Sequence, residues 1–205
     1  AFSPVKKSPA RPKPAVLAWP SSKVVAAASP SADWYRLVLP RSAAGVDTLL
    51  SGPMPTPGVA FLTRALRLSA GVMISASHNP FEDNGIKLFG PGGLKLGDDA
   101  ERGIERRVAD GRGAAAAEPG TIVAAGGLGE FYLAALAQRF AALDLSGRTI
   151  ALDCAHGATH EVAPTIFRRL GGDVVVLGDA PDGRNINAGC GSTHPGPLTQ
   201  VVRDG

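Results

Sequence analysis

After residue 45 the chain is built from short apolar runs set between glycines and prolines, and a few stretches carry a helical period. Val46 to Leu50 and Ala70-Gly-Val-Met-Ile74 are brief, apolar and bounded by turn residues, the form of buried strands. Between them Pro53, Pro55 and Pro57 stiffen a loop, and Val59, Leu62, Ala65 and Leu66 predict a helix over 58–68. Ile86 to Phe89 and Leu94 to Leu96 flank Pro91-Gly-Gly93 and read as a hairpin. A helix is predicted over 98–109, with Asp98 as its cap and Asp99 and Glu101 in the first turn, where the helix dipole favours acids. Residues 111–127 are small and read as a flexible connector. Phe131, Leu133, Leu136, Ala137 and Phe140 predict a helix over 129–143. Gly147 to Asp153, His160 to Leu170 and Gly171 to Leu177 then read strand, helix, strand. That is a βαβ unit and implies a parallel sheet with a right-handed crossover. The pattern as a whole is α/β.

Residues 1–44 break this regularity. They are rich in Pro, Ser, Ala and Lys, show neither period, and offer Tyr35-Arg-Leu-Val-Leu39 as the one strand-like piece. Their seven basic residues face Asp33 alone, whereas residues 45–205 hold 14 basic and 17 acidic residues. The net charge of +3 therefore belongs to the leader, and the body lacks the basic excess that a nucleic-acid-binding domain needs. Three readings of the segment stand: a wrong frame or gene-model error, which is preferred, a basic targeting leader, or a disordered tail. The chain does not begin with Met, so it is also read as a possible fragment. No stretch approaches the roughly 18–20 apolar residues of a membrane span. Cys154 and Cys190 have no CxxC partner and no histidine cluster, which argues against a disulfide framework or structural zinc. Buried thiols in a cytoplasmic setting are expected.

The chemistry concentrates in Ile74-Ser-Ala-Ser-His-Asn-Pro-Phe-Glu-Asp-Asn-Gly-Ile-Lys-Leu-Phe89. Pro80 holds Asn79 extended, so the strand before it ends in a turn that presents Ser77. On four letters, Ser77-His-Asn-Pro80 reads first as an ordinary capped turn. The longer string adds His78 beside the hydroxyl and Lys87 in reach of the same loop, a set suited to covalent phosphoryl chemistry. Asp83 is a weaker candidate for orienting Lys87. Asp153 and His156 sit at the carboxyl end of a strand, where open parallel sheets bind ligands, but are read as a structural loop. His160 reads as a capping or solvated residue and His194 as a turn residue.

This string resembles the active-site serine loop of the alpha-D-phosphohexomutase family, its phosphoglucosamine mutase branch most closely. Three further blocks carry the resemblance in order: Gly52-Pro-Met-Pro-Thr-Pro-Gly-Val-Ala-Phe-Leu-Thr63, Asp153-Cys-Ala-His-Gly-Ala-Thr-His-Glu-Val-Ala-Pro164, and Gly178 to Pro195. Within the last, Asn185-Ile-Asn-Ala-Gly-Cys-Gly-Ser192 favours the phosphoglucosamine branch. The resemblance implies an isomerase, an intramolecular phosphotransferase acting between glucosamine 6-phosphate and glucosamine 1-phosphate on the route to UDP-N-acetylglucosamine. Ser77 is then the phosphoserine, with His78 and Lys87 as its neighbours, and a phosphorylated amino sugar is the partner. Neither nucleic acid nor membrane is implied, and the oligomeric state is open.

The resemblance also implies a Mg²⁺ ion held by the phosphoserine and three aspartates of an Asp-Gly-Asp-Gly-Asp-Arg loop. Of that set only Ser77 is encoded here. A Gly-Thr-Asp-Gly-Ile-Arg-Gly type opening, a sugar loop and a terminal phosphate loop are also not found. The expected organisation is an atypical segment 1–44, disordered or mistranslated, a three-layer α/β/α domain over 45–143, N-terminally incomplete, and the start of a second over 144–205. The chain is expected to be inactive alone. The alternatives are a phosphomannomutase or phosphoglucomutase relative, or a non-catalytic remnant that binds a partner.

Overall fold

The computed structural model describes residues 23–27, 45–111 and 118–204. Five strands form the first sheet: β1 (Lys23–Ala27), β2 (Asp47–Leu50), β3 (Ala70–Ser75), β4 (Gly85–Phe89) and β5 (Ile122–Ala124). Their spatial order is β4-β3-β1-β2-β5. β1, β2, β3 and β5 run parallel, and β4 closes one edge antiparallel to β3. Buried parallel strands read as apolar runs, as Val24 to Ala27 of β1 and Ala70 to Ile74 of β3 do, whereas β2 opens on Asp47 and Thr48. In the register, Val25 lies between Leu49 and Gly71.

The place of β1 corrects the reading of a segment outside the domain for residues 23–27, the part of 1–44 that is described. Val24-Val-Ala-Ala27 is the middle strand of the sheet, and Val25 is fully buried. Four apolar letters are too few to show a period, so the strand was hidden among the small residues around it. The strand-like piece over 35–39 lies outside the described residues.

Helix α1 (Thr56–Ala65) covers one face of this sheet. It starts at Pro57 in its first turn, where a missing N–H costs nothing. Val59 and Leu62 point into a core with Val25, Leu49, Met54, Leu68, Met73 and Phe89. Gly71 makes the close approach possible: a Cβ there would overlap the Thr63 hydroxyl and press on Val59. Helix α2 (Asp98–Ala109) follows β4. Gly97, not Asp98, occupies its cap position, and no side chain caps it. The hairpin expected after β4 is reduced to a single bridge between Phe89 and Lys95. Residues 122–124, expected within a connector, form β5 instead, pairing with β2. Residues 112–117 lie outside the described residues.

The second sheet pairs β6 (Thr149–Asp153) with β7 (Asp173–Leu177) in parallel, with α4 (Val162–Arg169) as the crossover. This is the expected βαβ unit. Helix α3 (Leu128–Arg139) bridges the two sheets. Its Tyr132 and Leu133 form a second core with Val162 and Ile166, and Phe61 of α1 packs against both cores. Helix α5 (Gly196–Asp204), not expected from the sequence, rests against β6.

Candidate functional site

The serine loop begins where β3 leaves the sheet. Ala76 is buried and anchors the turn, while Ser77 and His78 are exposed. The Ser77 N–H donates to the Ser75 hydroxyl at 3.0 Å, and the Asn79 N–H donates to the Ala76 carbonyl at 3.0 Å. Ser77 has φ of 60°, in the left-handed region where a residue with a Cβ is disfavoured. Such strain at an exposed nucleophile-bearing turn persists only where surrounding bonds over-determine it. Pro80 is extended and leads into a single 3₁₀ turn at Phe81–Asp83, which the Asn84 amide closes by donating to the Phe81 carbonyl at 3.0 Å. The chain then returns along β4.

Of the residues expected at the site, Ser77 and His78 share this turn, while Lys87 lies in β4. Lys87 pairs with Met73 across the β3–β4 ladder, one non-adjacent step from the Ser75–Gly85 pair. It is therefore on the same sheet face as Ser75, near the end of β3 that launches the loop, and it is half-buried. Asp83 makes no ion pair with Lys87 among the described residues. Its backbone N–H donates to the Pro80 carbonyl at 3.1 Å, and its carboxylate is exposed.

A loop from the second sheet faces this turn. His78, Phe81 and Glu82 on one side and Arg184, Asn187 and His194 on the other line a cleft of about 420 Å³. The Asn187 amide donates to both the Ser77 carbonyl, at 2.9 Å, and the Asn79 carbonyl, at 2.8 Å. The loop carrying Asn187 opens on a tight turn at Asp182, whose carboxylate accepts the N–H groups of Arg184 at 2.7 Å and Asn185 at 2.8 Å. Those backbone bonds hold its carboxyl below the usual carboxylate range.

Asp153 and His156 keep their structural reading. One Asp153 oxygen accepts the Ala155 N–H at 2.9 Å and the other the Gly191 N–H at 2.6 Å. His156 Nδ1 accepts the Ala180 N–H at 3.2 Å, and His160 Nδ1 lies 3.0 Å from the Gly157 carbonyl. Among the described residues no group of three or more His, Cys, Asp or Glu is placed to hold a metal ion. Mg²⁺ takes a near-octahedral oxygen shell, which these residues do not fit, since Ser77 offers one oxygen. A larger cleft of about 660 Å³ lies between Ser51, the start of α3 and α4, and carries none of the expected site residues. Volume alone does not mark the chemistry, and the serine turn with the 182–194 loop is the better candidate. No helix of the described residues is long and apolar enough to cross a membrane.

The residue that sequence reading did not single out is Asn187. Its signal was the doubled asparagine of Asn185-Ile-Asn187 before Ala-Gly, since asparagine is the non-glycine residue most at ease in the left-handed region. Asn187 has φ of 60°.

Residues 39–114 match the family model for phosphoglucomutase/phosphomannomutase, alpha/beta/alpha domain I. The chain is 52% identical over 170 residues to phosphoglucosamine mutase of Burkholderia cenocepacia (strain HI2424), covering 79% of this chain and 36% of that protein. It is 53% identical over 163 residues to phosphoglucosamine mutase of Azoarcus sp. (strain BH72), covering 78% and 36%. A crystal structure of a phosphoglucomutase/phosphomannomutase family protein from Burkholderia thailandensis superposes with a TM-score of 0.70 at 25% identity, covering 89% of this chain and 41% of that one. The chain thus spans about a third of the length of the curated relatives it matches.

Proposed function

Since the chain belongs to the phosphohexomutase family, we propose that Ser77 carries a phosphoryl group between positions of a phosphorylated amino sugar. The reaction is the interconversion of glucosamine 6-phosphate and glucosamine 1-phosphate. The observation that carries this reading is an exposed serine in the left-handed region, at the end of a buried strand, inside Ala76-Ser-His-Asn-Pro80. Ser77 is exposed, so a sugar hydroxyl or phosphate can reach it.

In the forward half-reaction the Oγ–P bond of phosphorylated Ser77 breaks as a sugar oxygen bonds to phosphorus. The sugar hydroxyl gives up its proton, and the product is a hexosamine bisphosphate. In the second half, Ser77 Oγ attacks the other phosphate of that intermediate, so the serine is rephosphorylated and a monophosphate leaves. Little covalent work is asked of the protein; placement and charge stabilisation dominate. Lys87, half-buried in the middle of β4, supplies a cation to the transferring group, and His78 is positioned in sequence to hold or accept the proton. A place on the route to UDP-N-acetylglucosamine and a cytoplasmic setting belong to the same reading. The preference for the amino sugar rests on the identity to phosphoglucosamine mutases.

The test is phosphopeptide mapping of the chain within a full-length phosphohexomutase, which supplies the Mg²⁺-binding aspartates, after incubation with glucosamine 1,6-bisphosphate in Mg²⁺ buffer, with the glucose and mannose bisphosphates alongside. Phosphate is expected on Ser77, fastest from the amino sugar, and Ser77→Ala should remove it. Phosphate on Ser75 that persists in Ser77→Ala, or none from any of the three donors, would overturn the reading.

A further inference from the structure

We propose that Asn187 is a positioning residue for Ser77, holding the serine turn in its left-handed shape from the second sheet. This rests on the reading of Ser77 as the phosphate carrier. The turn's own bonds are short-range: Ser77 N–H to the Ser75 hydroxyl, and Asn79 N–H to the Ala76 carbonyl. They leave the carbonyls of Ser77 and Asn79 unheld; these belong to the 77–78 and 79–80 peptides, so the two planes bracket the His78-Asn79 segment. The Asn187 amide takes both carbonyls with one nitrogen. An NH₂ group has two hydrogens, so one side chain fixes both planes, and a carboxylate there would set oxygen against oxygen.

Asn187 is itself pinned. Its N–H donates to the Ala155 carbonyl at 2.9 Å. Ala155 in turn donates to Asp153, whose second oxygen takes Gly191. Gly191 has φ of 78°, and a Cβ there would lie 2.8 Å from the Ala155 methyl and 3.1 Å from Asn187 Oδ1. A chain of bonds therefore runs from the end of β6, through residue 155 and Asn187, to the serine turn. In-line phosphoryl transfer loses rate steeply when the nucleophile is misplaced by about 1 Å. An exposed serine on a strained turn needs such an external hold.

The experiment uses Asn187→Asp, which keeps shape and loses the donors, and Asn187→Gly, which keeps the left-handed backbone and loses the side chain. The first readout is amide hydrogen exchange at Ser77 and Asn79, with 149–177 as the internal reference. The second is the rate at which phosphate from glucosamine 1,6-bisphosphate reaches Ser77 in the same full-length setting. Both variants should exchange at least about tenfold faster at the two turn amides with the reference unchanged, since two bonds worth about 1 kcal/mol each are lost. The rate onto Ser77 should fall in the same proportion in both. Unchanged exchange at the turn in Asn187→Gly overturns the proposal whether or not phosphate transfer is seen. Faster exchange with an unaltered transfer rate also overturns it, because Asn187 would then be structural only. If wild-type Ser77 takes no phosphate while the exchange result holds, the functional reading fails and the clamp stands.

Discussion

The two cysteines show how burial sets chemistry one residue at a time. Burial pushes the Cys154 thiol up, with the Thr159 hydroxyl opposing and the Asp179 and Asp153 carboxylates adding to the shift. Cys190 is pushed up by burial and by Asp153. Raised values mean that the folded state favours the neutral thiol. The contribution to stability is therefore complete below the ordinary thiol range and is lost as pH rises through the folded values. At pH 8 the folded chain should resist alkylation at both positions, and iodoacetamide labelling should become complete only in denaturant. Rapid labelling of the native chain at either cysteine would show that the thiol is exposed and ionised. The pair was legible as buried thiols from composition alone, because an isolated cysteine without a ligand set behaves as a small apolar residue. The role of Asn187 was not legible, because a donor's partners 108 and 110 residues away leave no local pattern.

Among the elements, β1 tests the largest revision to the sequence reading. Its neighbours β2 and β3 pair with it on both sides, so removing it would split the first sheet. Val25 is fully buried. Val25→Ala deletes two methyl groups from a packed site and should cost about 2–3 kcal/mol. Urea unfolding measured with an unchanged m-value would check this. A loss below a few tenths of a kcal/mol would mean that residues 23–27 are not in the core. β3, the βαβ unit and α1 were legible because each is long enough, or apolar enough, to declare its period. β1, β5 and α5 were not. A three-residue edge strand such as Ile122–Ala124 forms because β2 offers an unpaired edge, and that offer exists only once β2 is in place.

At the scale of the whole molecule, the two sheets meet through α3 and through Asn187. Phe61 of α1 lies 5.5 Å from both Phe131 and Tyr132 of α3, ring centre to ring centre, in tilted contact. Arg169 donates from its two terminal guanidinium nitrogens to the two Glu130 carboxylate oxygens, tying α4 to α3. That pair is exposed and adds orientation more than stability. Phe61 touches both cores, so Phe61→Ala should cost about 3 kcal/mol and loosen their cooperation. Calorimetry should show one transition in the parent and two in the variant. A single sharp transition in Phe61→Ala would mean that the sheets are coupled elsewhere.

The order of residues settled the serine turn, the α/β class and the parallel pairing of β6 with β7. These follow from short-range rules: proline ends a strand, apolar runs bury themselves, and a strand-helix-strand spacing leaves one favourable crossover. The choice of β1 as the sheet's centre and the clamping of the serine turn by Asn187 were decided by tertiary structure. Both depend on which surfaces meet across the chain. A buried strand of five residues, or one amide on a distant loop, gains its free energy from partners that no local window of sequence contains.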